Sequence, residues 1–382
     1  MKNDKKVRIA AVGDIAFNGA YTRLAKAPEM SNVLDGVSSL LNGADLVIGN
    51  LEGPLTEHSP PQRSSRFCLR GHPRYSSVLR AAGFGVLSLA NNHILDFGWG
   101  AAEETLNNLA SMGIRHVGVG HNLDAARKPV QLSINGVSIS ILAYCGVPTG
   151  LRIYATDHQP GVAPARMALM IEDVARAKKN CDLLVICLHW GQEYVPYPTP
   201  SQRRSARKLL ASGANLILGH HPHILQGWEN LSGGLVAYSL GNFVFAEEEW
   251  TCTDSNGDDF RVAYRLKENS RRSAVMNIEI VKDGNIVRQE LDPVYVGVDL
   301  RPVRDPRPER EVELRRCRAA LSAPSYRLLW TLRMLWSRAC AQVEELSQES
   351  VIWKRLHRIR PRHVRDAIRL IAREWQHLRG VK

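Results

Sequence analysis

The chain alternates apolar runs with segments of helical periodicity, and this alternation limits the folds that it can adopt. Runs such as VRIAAVG, ADLVIGN and CDLLVICLHWG consist mostly of apolar residues, which predicts strands buried on both faces. Helical patterns lie between the runs, as in ARMALMIEDVARAKKN and SQRRSARKLLASG. Strands that alternate with helices predict an α/β architecture.

Polar residues follow each apolar run, at the point where the predicted strand ends. They are Gly13-Asp14, Asn50-Leu51-Glu52, Asn91-Asn92-His93, His189, His220–His223 and Gly241-Asn242. In open α/β sheets, the loops at the carboxyl ends of the strands carry the chemistry. We therefore expect these loops to converge on one active site.

The 382 residues divide into a large domain and a C-terminal extension. A hairpin predicted near 273–297, with the turn sequence KDGN, closes the large domain. We place this domain at residues 1–299 and the extension at residues 300–382. The extension begins with the Pro- and Arg-rich linker RPVRDPRPER, and helices are predicted at about 309–347 and 350–379.

Three further segments are interpreted as connections. Residues 58–66 and the acidic segment from Glu247 to about Asp259 are predicted loops. GVGHNL at 118–123 begins like a dinucleotide fingerprint, but Leu123 stands at the third glycine position. This segment predicts a strand-to-helix turn capped by Asn122, and no nucleotide cofactor.

The positive charge is concentrated in the extension. The chain has a net charge of +12, and residues 301–382 hold 20 Lys and Arg against 9 Asp and Glu. Amphipathic patterns there favour helices that dock on the main domain or on a second copy of the chain, which would form a homo-oligomer. Contact with an anionic polymer or a membrane surface is the alternative. No nucleic-acid-binding motif is visible.

The cysteines and the N-terminal sequence indicate in which cellular compartment the protein is expected. The seven cysteines are widely spaced without a CxxC, which favours thiols in a reducing environment over disulfides. We find neither a signal-peptide core nor an apolar stretch of roughly 18 residues. We therefore expect a cytoplasmic protein, with the basic extension allowing peripheral contact at the inner face of the membrane.

Clustered histidines and carboxylates suggest a metal site. His220-His221-Pro222-His223 places three imidazoles within four positions after a strand-like run, which suits Zn, Fe, Mn or Co, although a solvated loop is the alternative. His189 alone is more typical of a satisfied core histidine, and Glu193 could orient it or lie behind the ligands of the site. Asp14 ends the first predicted strand, which is a common ligand position but a weak signal by itself. Glu52 lies in a loop with Gly and Pro, for which a surface turn is the alternative.

Asn92 and His93 follow the run LSLAN, with Asp96 three residues later. Asparagine runs often form turns or caps. The spacing of His93 and Asp96 also suits a general acid whose imidazole is oriented by a carboxylate. His93 and Asp96 are therefore our candidate catalytic residues.

Each of these signals is modest, but their order along the chain is specific. Asp, Asn-x-Glu, Asn-His, a lone His and His-x-His follow one another as in the metallophosphoesterases. The motifs VGDIAFNG, DLVIGNLEGPLT, VLSLANNHILDFG, HVGVGHNLDAA, LHWGQEY, GANLILGHHPHILQGWE and YSLGNFVF resemble in particular the CapA family of poly-γ-glutamate capsule synthesis proteins. The resemblance covers about residues 7–299, implies a four-layer αββα sandwich, and leaves the basic helical extension uncovered.

The resemblance also implies roles for individual residues. It places Asp14, Glu52, Asn92, His189, His221 and His223 among the metal ligands, with Asn50 the alternative to Glu52 and His220 an alternate histidine. Glu52 is preferred at the bridging position because it carries charge. His93 matches the histidine that assists the leaving group. The implied cofactor is one or two divalent ions of Mn, Fe, Zn or Mg.

Two departures from the phosphoesterase pattern weaken one metal position. A histidine usually stands two residues after the first Asp, where this chain has Ala16, and the usual Gly-Asp of the second motif reads Gly49-Asn50. We expect a metal-dependent hydrolase or transferase that acts on a phosphorylated, polyanionic or amide-linked substrate such as poly-γ-glutamate. The alternative is a non-catalytic accessory protein in the synthesis or export of an anionic polymer.

Overall fold

Two β-sheets packed face to face carry the site. The computed structural model describes residues 6–58, 67–147, 152–231, 233–253, 259–328 and 330–332. Within these ranges the helices are α1 (Ala20–Leu24), α2 (Ser38–Leu41), α3 (Tyr75–Ala81), α4 (Gly98–Ser111), α5 (Leu123–Arg127), α6 (Met167–Lys178), α7 (Pro200–Ala211) and α8 (Pro308–Leu321).

The strands follow the apolar runs of the sequence. They are β1 (Val7–Ile15), β2 (Leu46–Leu51), β3 (Phe84–Ser88), β4 (Arg115–Val117), β5 (Val119–Gly120), β6 (Val130–Ile134), β7 (Val137–Cys145), β8 (Gly161–Val162), β9 (Leu183–His189), β10 (Leu216–His220), β11 (Trp228–Leu231), β12 (Gly234–Ala237), β13 (Asn242–Val244), β14 (Glu248–Thr253), β15 (Asp259–Tyr264), β16 (Arg272–Ile280), β17 (Ile286–Val296) and β18 (Pro302–Arg304).

Each large sheet contains a block of parallel strands. The first sheet has the order β18-β17-β16-β1-β2-β3-β4, and β13 also pairs with β1. Strands β1 to β4 and β13 are parallel, whereas β16, β17 and β18 are antiparallel. The second sheet has the order β11-β12-β10-β9-β7-β6, with parallel pairing from β12 to β7.

Alternate residues of β9 show how the layers stack. Leu183, Val185 and Cys187 belong to the core between the two sheets. Leu184 and Ile186 belong to a second core that also contains apolar residues of α6 and α7. Because both faces of the strand are covered, nearly every residue in it is apolar. With α3 and α4 packed on β3 and β4, the layers are helix, sheet, sheet, helix, which confirms the predicted αββα sandwich.

Local capping signals are confirmed as well. The side chain of Asn122 accepts a hydrogen bond from the backbone N–H of Ala125 at 2.9 Å and caps α5, as expected for a strand-to-helix turn. Thr199 and Gln202 form a reciprocal capping box at the start of α7. Cys145, Cys181, Cys187 and Cys317 are free thiols.

The two predicted features near residues 247–297 have different outcomes. The hairpin near 273–297 is confirmed, because β16 and β17 pair antiparallel. The prediction of a loop from Glu247 to about Asp259 is wrong in part, because β14 pairs antiparallel with β15. Trp250, Val262 and Tyr264 alternate with polar or small residues in these strands, and this period of two forms a half-buried hairpin.

The extension is described only in its first part. Helix α8 begins near the predicted position but ends at Leu321, and the chain is helical again at 326–328 and 330–332. The prediction of one helix over 309–347 is therefore wrong in part, and its residues after 332 lie outside the described residues. Pro324 follows α8 closely, and a proline disfavours helical backbone in the residue before it. Arg272 pairs with Glu313 of α8 at 3.0 Å, and residues up to Trp330 belong to one compact unit. The helix predicted at 350–379 lies outside the described residues, and the boundary at residue 299 stays a prediction.

None of the described helices is both long enough and apolar enough to cross a membrane. The location of the protein stays a prediction.

Candidate metal centre

The ends of β1, β2, β9 and β10, with the start of β13, bring predicted site residues together. Asp14 near the end of β1 is in register with Asn50 of β2 and Asn242 of β13. In the second sheet, His189 ends β9 in register with His220, which ends β10. Strands β1 and β10 contact each other, so the two sheets contribute ligands to one place.

Glycines precede the site residues on two of these strands. A Cβ atom at Gly13 would lie 1.9 Å from the carbonyl oxygen of Gly241, and one at Gly219 would lie 2.0 Å from that of Tyr238. Neither backbone approach leaves room for a side chain. The glycines therefore allow neighbouring strands to close on each other directly before Asp14 and His220.

Two groups of side chains have the composition and spacing of metal ligands. Glu52, His221 and His223 form one group, and Asp14, Glu52 and His189 form the other; in each group the potential ligand atoms lie within 4.8 Å of one another. All five residues are buried. Glu52 belongs to both groups, which is the arrangement expected of a carboxylate between two ion positions.

Glu52 is buried without a hydrogen bond. Neither of its carboxylate oxygens has a partner among the described residues. Burial, and then the charge of Asp14, raise the pKa of Glu52 well above its usual range. A buried carboxylate without a donor is costly unless a cation pairs with it. This orphaned carboxylate fits a divalent metal ion.

The imidazoles are oriented by asparagine side chains. His223 donates from Nδ1 to Oδ1 of Asn242 at 2.9 Å, which leaves its Nε2 atom 3.6 Å from Oε1 of Glu52. Nε2 of His189 lies 2.7 Å from Oδ1 of Asn92 and 3.7 Å from Oε1 of Glu52. An amide oxygen that holds the other ring nitrogen, as Asn242 does for His223, is typical of metal sites. At His189, Nε2 and the Asn92 oxygen are two potential ligand atoms that lie side by side.

The imidazoles His189 and His221 are held neutral. Burial, and then the neighbouring His221, lower the pKa of His189 well below its usual value. Burial, and then His223, lower the pKa of His221 to about 3. A neutral imidazole keeps the lone pair that binds a metal. The backbone of His221 and His223 has positive φ angles of 95° and 56°, a strain that is typical of functional sites.

Asp14 differs from Glu52 in its protonation. Burial alone would raise its pKa, but a hydrogen bond and the charge of His220, together with His223, bring the pKa of Asp14 below its ordinary value. Asn50 and the backbone N–H of His221 also donate to Asp14, at 2.9 and 3.1 Å. Asp14 is therefore the ionised carboxylate of the centre.

His93 and Asp96 form the predicted pair beside these groups. Nδ1 of His93 lies 2.6 Å from Oδ2 of Asp96, which also accepts a hydrogen bond from the backbone N–H of Leu69 at 2.8 Å. Both side chains are buried. Because Asp96 holds Nδ1–H, the Nε2 atom of His93 is the one left to exchange a proton.

The structure separates the residues whose roles the sequence left open. Asn50 donates to Asp14 and lies 3.4 Å from Nδ1 of His189, whereas Glu52 alone offers an unpaired carboxylate. Nδ1 of His220 lies 3.4 Å from Asp14. The carboxylate of Glu193 lies 3.9 Å from Nε2 of His221, so the histidine that it faces is His221 and not His189.

Ala16 stands in an apolar environment. It packs in a small cluster with Leu69, Phe245 and Leu266, against which Tyr264 also lies. Carbon atoms therefore surround the position where the phosphoesterase pattern has a histidine. Sequence reasoning missed this environment and the role of Asn242, although the motif YSLGNFVF contains both Asn242 and Phe245.

Comparisons with known proteins agree with the motifs. The family model of the bacterial capsule synthesis protein PGA_cap matches residues 8–247. The chain is 35% identical over 269 residues to the PGA biosynthesis protein CapA of Bacillus subtilis, covering 70% of each chain. It is 31% identical over 284 residues to the capsule biosynthesis protein CapA of Bacillus anthracis, covering 72% of this chain and 67% of that protein.

A third relative carries a different description. The chain is 28% identical over 265 residues to a probable polyglutamine synthesis accessory protein of Mycobacterium tuberculosis, covering 66% of each chain. The family model and the two CapA proteins confirm the resemblance that the motifs indicated. The chain belongs to the bacterial capsule synthesis protein family PGA_cap.

Proposed function

We propose that this protein takes part in the synthesis of a poly-γ-glutamate capsule polymer, as a metal-dependent hydrolase or transferase. The names of its relatives support the polymer, because they are described as PGA and capsule biosynthesis proteins. The observation that carries the catalytic part is the orphaned carboxylate of Glu52, buried between two groups of potential ligands.

The residues that would hold the ion are those of the two groups. They are Asp14, Glu52, His189, His221 and His223, with Asn92 as a neutral oxygen ligand. Mixed imidazole, carboxylate and amide ligands suit Mn, Fe or Zn, and one or two ions fit the shared position of Glu52. When bound, such an ion supplies an activated water and polarises the carbonyl or phosphoryl group that is attacked.

The protein side chains supply binding and proton transfer. Nε2 of His93 delivers a proton to the leaving group, and Asp96 holds the Nδ1–H of the ring so that Nε2 faces the reaction. Asp14 contributes negative charge that stabilises a cation in the centre. The buried surroundings exclude bulk water and strengthen these electrostatic interactions.

Assays of the protein loaded with Mn²⁺ test this proposal. We expect cleavage or transfer of a γ-linked glutamate polymer, or of a phosphoester, that disappears after chelation of the metal. His93→Ala should retain the metal and slow turnover by roughly two to four orders of magnitude, the range expected for a lost general acid. His116→Ala, a histidine outside the centre, is the matched control. Full activity of His93→Ala on a substrate with a poor leaving group would show that His93 is structural.

A second candidate function is a non-catalytic accessory protein that binds the polymer at this site. Ala16 favours it, because the centre lacks the histidine usually found there. The relative described as an accessory protein also supports it. Metal-loaded protein that binds the polymer tightly but turns over neither class of substrate would favour this function.

A further inference from the structure

The hairpin of β14 and β15 has two different faces. Glu248 is in register with Tyr264, and Trp250 is in register with Val262; all four are partly buried. The intervening residues Glu249, Thr251, Arg261, Ala263 and Arg265 are exposed. Directly opposite residues of an antiparallel pair lie on the same face of a sheet. Trp250 and Tyr264 therefore share the inward face of the hairpin.

Ring contacts connect this face to the centre. Phe67 lies 4.5 Å from Trp250 and 5.3 Å from Tyr264, measured between ring centroids, and 5.9 Å from His93. On the other side, Phe245 lies 5.5 Å from Tyr264 and 5.2 Å from His223. We call Phe67, Phe245, Trp250 and Tyr264 the aromatic wall. It extends from the proposed general acid to a proposed metal ligand.

Two buried donors in the aromatic wall make no hydrogen bond of normal length within the part of the chain that the structure describes. They are Nε1 of Trp250 and the hydroxyl of Tyr264. The Tyr264 hydroxyl lies near the hydroxyl of Tyr194 and the side chain of Asn242, beyond the length of a normal hydrogen bond, and the charge of Glu52 acts on it. Tyr194 has a positive φ of 59°, and its N–H donates to the carbonyl of Pro222 at 2.9 Å, between His221 and His223.

Unpaired buried donors require an explanation, since each costs about 1–3 kcal/mol. An indole N–H can only donate, so its missing partner is an acceptor. The aromatic rings on both sides of these donors would pack against apolar carbon atoms of a ligand. The expected ligand therefore combines oxygen acceptors with methylene groups. A γ-glutamyl chain has this chemistry, because each unit carries an amide carbonyl, a carboxylate and two methylenes.

We propose that the aromatic wall is the substrate-positioning surface of the centre, where Trp250 and Tyr264 donate hydrogen bonds to the oxygens of a γ-glutamyl chain. The proposal rests on the function proposed above, because that function supplies the polymer. The hairpin holds both donors, so it sets the position of the chain relative to His93 and Glu52.

The test measures the affinity of metal-loaded protein for a γ-linked glutamate oligomer by calorimetry, with metal content recorded for every variant. Trp250→Phe and Tyr264→Phe each remove a donor and retain a ring. We expect each to bind about fivefold more weakly, the effect of one neutral hydrogen bond, with unchanged metal content. Trp228→Phe is the control for the indole, because Nε1 of Trp228 is also buried and unpaired among the described residues but lies on the edge strand β11. Tyr295→Phe is the control for the hydroxyl.

Each result has a stated meaning. Wild-type affinity in both Trp250→Phe and Tyr264→Phe overturns the proposal. If the wild type binds inorganic phosphate but no γ-glutamyl oligomer, the proposed polymer is wrong. The phosphate affinity of the same two variants is then compared with that of the wild type. Weaker phosphate binding by the variants would support the positioning role of the aromatic wall, and unchanged binding would overturn that role. Wild-type protein that binds neither probe also overturns it.

Discussion

At the residue scale, the two buried carboxylates of the centre differ in the hydrogen bonds that they accept. Asp14 accepts hydrogen bonds from Asn50 and from the backbone of His221. Glu52 receives none from the described residues, although it lies between His189 and His223. A satisfied carboxylate and an orphaned one in the same buried centre are expected where a cation supplies the missing partner.

The two histidines after β10 should be necessary for that cation. We expect the double variant His221→Ala/His223→Ala to fold and to lose most of its divalent metal, because it removes two of the three ligands of one group. Elemental analysis of the purified protein measures this. His116→Ala, with a partly buried histidine elsewhere, should keep the metal. Unchanged stoichiometry in the double variant would contradict the assignment of these histidines.

Metal affinity should depend on pH through Glu52. Its raised pKa means that the metal-free protein holds a proton there to a higher pH than an ordinary carboxyl does. Metal binding requires the carboxylate, so it displaces this proton, and affinity rises as the pH rises through the Glu52 pKa. His221, with a pKa of about 3, adds no competition from protons above about pH 4.

Calorimetry in buffers with different ionisation enthalpies measures the released protons. Wild-type protein should release about one proton more per metal than Glu52→Gln, near the pH at which Glu52 titrates. Glu52→Gln should also bind the metal more weakly, because it lacks the charge. Equal proton release by the two proteins would mean that Glu52 does not bind the ion.

At the element scale, the positions of the ligands depend on strand ends whose backbones approach closely because glycine stands there. Gly13 on β1 faces the carbonyl of Gly241, which precedes β13. Gly13→Ala should destabilise the protein by about 1–3 kcal/mol, because an added methyl group must displace backbone. It should also lower the metal content, since Asp14 is the next residue. Urea denaturation and elemental analysis measure the two effects.

Gly100→Ala provides the matched control for this prediction. Among the described residues, a Cβ at Gly100, inside α4, meets only the imidazole of His58, at an ordinary 3.5 Å. This variant should keep its metal and gain up to about 1 kcal/mol of stability, because alanine favours helices over glycine. Equal stability of Gly13→Ala and wild type would show that β1 and β13 can separate without cost.

Whether the sequence predicts a feature depends on how far apart along the chain its interacting residues lie. Buried strands such as β9 are predictable because two covered faces require a continuous apolar run. His93 and Asp96 are predictable as a pair because three positions separate them. The hairpin of β14 and β15 was missed because its exposed residues are charged and its inward residues alternate over only a few positions. The contact of Asn242 with His223 joins separate strands, and only the folded sheets reveal it.

At the scale of the whole molecule, charge and the candidate centre lie in different parts of the chain. Residues 1–300 hold 30 Lys and Arg against 29 Asp and Glu, whereas residues 301–382 hold 20 against 9. The centre is built from residues 14 to 242. Contact of the extension with an anionic polymer or a membrane surface, and a homo-oligomer formed through it, both stay predictions.

Truncation separates these contributions. A chain that ends at residue 332 keeps α8, whose Glu313 pairs with Arg272, and loses the basic residues that follow. We expect it to keep its metal and to bind anionic vesicles more weakly than the full chain. The difference should shrink at high salt, because exposed charges are screened within about 10 Å at 0.1 M. Equal, salt-sensitive binding by both proteins would place the anionic contact within residues 1–332.

The most direct test of the metal centre is anomalous diffraction from crystals of the Mn²⁺-loaded protein. The arrangement of Asp14, Glu52, His189, His221 and His223 predicts an anomalous peak within bonding distance of the Glu52 carboxylate, with imidazole nitrogens among the other ligands. A protein saturated with Mn²⁺ in which no ion is bonded to Glu52 would contradict this account.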